Sequence, residues 1–172
     1  MTEQKGSRWV RRVGFGIGLG LALLLVLAFR IPRGTGTLGA DLTVSVGPTG
    51  ELDVTPAGPV LMSNNLKPGN GTSGTFAVRN QTGRTLAVSM RVLPSASTLD
   101  RAVNVQVTAG KTVLYQGSLG GLRSWTTRKL VLASGQPASF SVQVSLPTKT
   151  KGGYQGAIVD APVEFLSRPT GG

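Results

Sequence analysis

From Ala138 to Leu146 the chain alternates without a break: Ala138, Phe140, Val142, Val144 and Leu146 are apolar, while Ser139, Ser141, Gln143 and Ser145 are polar. A helix cannot bury such a pattern on one side. A strand with one dry and one wet face can, because its side chains point to opposite faces with a period of two. The same alternation recurs at Leu86, Val88, Met90 and Val92, at Val103, Val105 and Val107, and at Ala157, Val159, Ala161, Val163 and Phe165. Shorter segments with this character are Leu42–Val46, Glu51–Val54, Thr75–Asn80, Thr112–Gln116 and Lys129–Leu132. Clusters rich in Gly, Pro, Asn and Ser divide them, among them Gly47-Pro48-Thr49-Gly50, Lys67-Pro68-Gly69-Asn70-Gly71 and Ser134-Gly135-Gln136-Pro137. Turn residues at such regular spacing predict an all-β domain over residues 41–172, a jelly-roll or immunoglobulin-like β-sandwich. About 130 residues suffice for one core without staples. A single helical turn is expected near Leu119–Ser124. Pro162 has no N–H to give a ladder, so its part of the last strand is expected at an edge or a bulge.

Residues 1–40 follow another rule. Val13 to Phe29 is an uninterrupted apolar run, preceded by Lys5, Arg8, Arg11 and Arg12. As a helix it measures about 25 Å at ~1.5 Å per residue, the short end of what crosses a hydrocarbon core of about 30 Å. The basic cluster before it holds the N-terminus in the cytoplasm and sends the β domain outside. This predicts one N-terminal transmembrane or signal helix, and an extracellular or cell-surface location. A cleaved signal and a retained anchor both remain open. Leu38 spoils a small-x-small site ending at Ala40, and Arg30 and Arg33 directly after the apolar run favour retention. Gly14 with Gly18 and Gly16 with Gly20 have the spacing that lets membrane helices approach closely, although a signal region of moderate hydrophobicity is the preferred account of them.

The chain of 172 residues contains no Cys and no His. This excludes disulfides, thiolate–imidazole zinc sites and every catalytic dyad or triad built on His or Cys. No cofactor and no enzymatic activity are expected. Of the net charge of +11, almost half belongs to the residues beside the apolar run. The remaining cations are scattered along strands, so no nucleic-acid partner is expected. The acids Asp41, Glu51, Asp53, Asp100, Asp160 and Glu164 are dispersed. Asp160 and Glu164 share a strand face, where a carboxylate site for calcium is the sharp reading and two solvated acids the ordinary one. Asn70-Gly71-Thr72 and Asn80-Gln81-Thr82 match the glycosylation acceptor, yet read more simply as turns. Leu146-Pro147-Thr148-Lys149-Thr150 and Arg168-Pro169-Thr170-Gly171-Gly172 only superficially resemble wall-sorting signals.

Several segments in order carry a family likeness: Asn65-Leu66-Lys67-Pro68-Gly69, Gly74-Thr75-Phe76-Ala77-Val78-Arg79-Asn80, Val113-Leu114-Tyr115-Gln116-Gly117-Ser118-Leu119, Ala133-Ser134-Gly135-Gln136-Pro137-Ala138-Ser139-Phe140 and Gly153-Tyr154-Gln155-Gly156. Together they resemble the camelysin/TasA family of secreted bacterial biofilm-matrix fibre proteins, over about residues 41–168. The resemblance implies a jelly-roll domain, secretion through a dedicated signal peptidase, and assembly into fibres by strand exchange. Metalloprotease activity described for some camelysin-like proteins has no zinc helix to rest on here. The expected function is a non-enzymatic structural protein of the cell surface or biofilm matrix. The alternative is a membrane-anchored immunoglobulin-like binding or accessory module of the envelope. Partners are accordingly self-association or another envelope protein, and the membrane through Val13 to Phe29 if that run is retained.

The candidate donor strand is Leu42, Val44 and Val46. The sequence reads as a strand pair, residues 41–54, folded around the Gly-Pro-Thr-Gly turn and separated from the rest by Thr55-Pro56-Ala57-Gly58-Pro59. A first strand on such a connection pairs with its own sheet or with a neighbour's open edge.

Overall fold

The computed structural model describes residues 39–47, 49–93, 97–152 and 154–170. The apolar run from Val13 to Phe29 lies outside the described residues. Among the described residues ten strands follow one another: β1 (Ala40–Val46), β2 (Leu52–Thr55), β3 (Gly58–Leu66), β4 (Gly71–Asn80), β5 (Leu86–Val92), β6 (Asn104–Ala109), β7 (Thr112–Ser118), β8 (Leu130–Leu132), β9 (Pro137–Ser145) and β10 (Ile158–Pro169). They form two five-stranded sheets, ordered β3-β1-β10-β5-β8 and β2-β4-β9-β6-β7. The all-β sandwich expected from the alternation is present.

The alternation explains the core. Leu42, Val44 and Val46 of β1, Val88, Met90 and Val92 of β5, and Val159, Ala161, Val163 and Phe165 of β10 are buried from one sheet. Phe76 and Val78 of β4, Val105 and Val107 of β6, and Phe140, Val142 and Val144 of β9 meet them from the other. The sheets join at an aromatic trio. Phe76 stacks on Phe140 with centroids 5.1 Å apart, and Phe165 meets both edge-on at 6.0 and 5.9 Å. Such pairs add stability beyond their buried area. The helical turn expected near Leu119–Ser124 is a 3-10 turn, Leu119–Arg123, capped by the Ser118 hydroxyl, which accepts from the Gly121 N–H.

Three expectations change. First, β1 and β2 are not a hairpin: β1 pairs with β3 and β10, while β2 pairs with β4 in the opposite sheet. Their apolar faces are satisfied equally well from opposite sides of one core, so alternation alone does not distinguish the two arrangements. Second, the connection after β2 is short, because β3 begins at Gly58 and extends to Leu66. β3 has no clean alternation. It is an edge strand whose pairing with β1 shifts register twice. Third, Pro162 lies in a strand internal to its sheet. β10 pairs with β1 from Ile158 to Val163 and with β5 from Val163 to Pro169. The Pro162 carbonyl accepts from the Leu93 N–H at 2.9 Å, just past the end of β5. A residue's N–H and C=O point to the same side of a strand, so the missing donor falls where the β5 ladder ends.

Candidate functional site

β1 is the candidate functional element, and its surroundings can be built residue by residue. It runs parallel to β10, with Leu42 opposite Val159, Val44 opposite Ala161 and Val46 opposite Val163. On its other side it is antiparallel to β3, with Thr43 opposite Met62 and Val44 opposite Leu61. Ala40, Leu42, Val44 and Val46 point into the core, while Asp41, Thr43 and Ser45 face outward. All three candidate donor residues are therefore together on one face, fully enclosed.

The start of β1 is held by polar contacts that the sequence did not announce. The Gly39 N–H donates to the Asn65 Oδ1. The Asn65 N–H donates to the Asp41 Oδ1 at 2.9 Å. The Gly39 carbonyl accepts from Gly156, and the Asp41 N–H donates to Ala157. Asn65 has φ 70°, the left-handed region that Asn tolerates better than other residues with a Cβ. A Cβ at Gly39 would lie 2.4 Å from the Asn65 carbonyl carbon, so only glycine fits.

Two of the acids elsewhere are held in ion pairs. Glu164 pairs with Arg91, at 2.7 Å from Nη2 and 2.8 Å from Nε. Arg91 in turn sits 4.5 Å from the Trp125 ring centroid. Asp160 is four residues away along the strand, about 13 Å at ~3.3 Å per residue, so the two carboxylates do not converge on a shared cation. Among the described residues no three His, Cys, Asp or Glu side chains cluster in a metal-binding arrangement. Asp100 is not a surface acid. It is buried and paired with Arg123, tying the 3-10 turn Thr98–Arg101 to Leu119–Arg123.

Asn80 is completely buried. Its Nδ2 donates to the carbonyls of Arg84, Leu132 and Ala133, and its Oδ1 accepts from the N–H and hydroxyl of Thr82. It is a turn staple, and a glycosylation acceptor must be exposed. Leu146 is likewise buried, and Thr150 closes onto the Pro147 carbonyl through both its N–H and its hydroxyl. That segment is a folded turn. Burial pushes the Tyr115 hydroxyl above the ordinary phenol value of 10.0.

No family model matches the chain, and no curated protein matches it. Among solved structures, one described as AvmM, which catalyses macrocyclization in alchivemycin A biosynthesis, is 9% identical, covers 70% of this chain and 88% of its own, and has a TM-score of 0.32. A likeness that distant carries no argument about function.

Proposed function

We propose that this chain is an exported, non-enzymatic structural protein of the cell surface or biofilm matrix, related to the camelysin/TasA family, that assembles by exchange of β1. One observation carries the reading: β1 is inserted between two strands of a topology that is complete without it. Without β1 and β2 the sheets would run β3-β10-β5-β8 and β4-β9-β6-β7. That is the strand arrangement of an eight-stranded jelly roll, two interlocked Greek keys. β1 then occupies a slot between the first and last jelly-roll strands. It is parallel to one, antiparallel to the other, and lies at the beginning of the domain.

Energetics favour exchange over loss. Burying Leu42, Val44 and Val46 contributes roughly 5–9 kcal/mol at 1.5–3 kcal/mol per side chain, before main-chain hydrogen bonds to two neighbours. An empty slot is therefore too costly to persist. A slot filled by a neighbour's β1 recovers the same contacts, so self-paired and exchanged states differ little, and concentration decides between them. Head-to-tail exchange whose rotation does not close yields a filament, and one that closes yields a ring. The seated β1 also favours a second reading, a monomeric accessory module anchored in the envelope.

The experiment is electron microscopy and light scattering of the purified chain beginning at Gly39, across a range of concentration. Filaments or concentration-dependent oligomers are expected. A strict monomer at every concentration would reject assembly and favour the accessory module. A reporter that works only outside the cytoplasm, fused after Gly172, is expected to be active. Activity of a cytoplasm-only reporter there would reject export.

A further inference from the structure

The outer face of the second sheet is built unlike the rest of the molecule. Cross-strand register aligns Ser73, Gln143, Gln106 and Gln116 in one row over β4, β9, β6 and β7. The row beside it is Gly71, Ser145, Asn104 and Ser118, and the next is Thr75, Ser141, Thr108 and Val113. The chain has 18 basic and 7 acidic residues, yet none stands in these three rows. Two rows and their surroundings form a shallow groove of about 590 Å³.

The side chains there are almost all amides and hydroxyls, each able to donate and accept. Among the described residues, Asn104, Gln106, Gln116 and Gln143 make no side-chain hydrogen bond within the protein. Elsewhere in the domain Asn80 is saturated and Gln136 accepts from the Ala133 N–H, while Asn64, Asn70 and Gln81 also make no side-chain hydrogen bond but are not aligned in a row across strands. The groove thus presents unspent donors and acceptors on a rigid sheet, with no charge to desolvate and no apolar anchor to bury.

We infer that this face binds a neutral polysaccharide. An anionic polymer is recognised by Lys and Arg, and a protein partner by aromatic or apolar anchors in a fully buried centre. Neither is offered here. A chain of vicinal hydroxyls, donating and accepting in alternation, complements a row of amides without a charge penalty. Neighbouring side chains in a row are ~4.8 Å apart, so the Gln row offers a repeating hydrogen-bonding track across the sheet. The inference is independent of strand exchange, since β1 belongs to the other sheet; a failure of filaments to form leaves it standing.

The test is affinity electrophoresis of the full-length chain, kept soluble in a polyoxyethylene detergent without sugar headgroups. The gels contain dextran, hydroxyethylcellulose, galactomannan or, as the charged control, alginate. Retardation by at least one neutral polymer is expected, unchanged in high salt. The double substitution Gln106→Ala with Gln143→Ala should weaken it about tenfold, for two lost hydrogen bonds, with circular dichroism unchanged. If that variant does not fold, Gln106→Glu replaces it, keeping size while adding a charge, and should also weaken retention. Retention by none of the neutral polymers overturns the inference. So does equal retention of wild type and variant, or retention by alginate alone that salt abolishes. Concentration-dependent self-association lost in the variant also overturns it, assigning the face to a second copy of the chain.

Discussion

Gly39 and Asn65 are in mutual contact at the end of the pairing between the first strand and its antiparallel neighbour, the Gly39 N–H donating to the Asn65 side chain. There is no space for a methyl group, because a Cβ would sit 2.4–2.6 Å from Asn65 atoms, two of them backbone. Gly39→Ala must therefore push β1 away from β3. The expected cost is about 1–3 kcal/mol, the range for overpacking a closed site. Urea denaturation measures it, and hydrogen exchange should locate the loosening at residues 41–44, with the distant β6 amides unaffected. Wild-type protection in β1 would show that the contact does not hold the strand.

Asn80 provides the second prediction. Its side chain satisfies three carbonyls and takes two donors from Thr82, with no solvent exposure. Asn80→Ala leaves a cavity and several unpaired groups, each costing about 1–3 kcal/mol when buried. The expected loss is about 2–4 kcal/mol in urea unfolding. Asn80→Asp should be worse, because a carboxylate would face the carbonyl oxygens of Arg84, Leu132 and Ala133 with nothing to donate. A near-neutral Asn80→Asp would contradict the assigned orientation of the amide.

These two residues also show how far the sequence could be read. The alternating strands β5, β6, β9 and β10 were legible because each buries one face and wets the other, so period two survives in the amino acids. β3 was not. As an edge strand with shifted register, it carries Pro59, an exposed Met62 and Asn64-Asn65, none of which repeats with a period. The partners of β1 were illegible for a related reason. Its alternation specifies a dry face, yet nothing local says which sheet completes its ladder. The three candidate donor residues were found by pattern, while Gly39 and Asn65, which hold them in place, are 26 residues apart and recognisable only once β3 is known. The glutamine row has the same origin. Gln106, Gln116 and Gln143 each read as wet-face residues, and only the strand order brings them together.

Tyr115 predicts an alkaline limb. Its phenol is raised above 10.0 by burial, so the folded state holds the proton more tightly than the unfolded chain does. The associated stability is fully present below pH 10 and is lost as pH rises through the higher folded value. Urea midpoints measured upward from pH 9 should fall once pH exceeds about 10. Tyr115→Phe removes the titrating group together with its hydrogen bond to the Ser118 carbonyl. The variant should start lower at neutral pH and lose less on the alkaline side. An alkaline slope identical to wild type would assign that limb to other groups.

The last prediction addresses whether β1 can be supplied from outside. A chain beginning at residue 47 lacks Leu42, Val44 and Val46, hence roughly 5–9 kcal/mol of apolar burial, as well as the ladder to β3 and β10. Native domains have only about 5–15 kcal/mol in hand, so this truncated chain should be unfolded or expanded on its own. A synthetic peptide of residues 39–47 restores every lost contact. It binds the folded state alone, so the midpoint of thermal unfolding should rise with the logarithm of peptide concentration. Val44→Asp in the peptide places a charge opposite Ala161 in the core and should abolish rescue. Thr43→Glu faces outward, where Thr43 is half-buried, and should retain most of it. The contrast between the two peptides separates strand insertion from loose association. Equal rescue by both would mean the peptide is not in the slot. A truncated chain that folds as stably as the intact domain, with no response to peptide, would show that β1 is dispensable and would eliminate strand donation as the route to assembly.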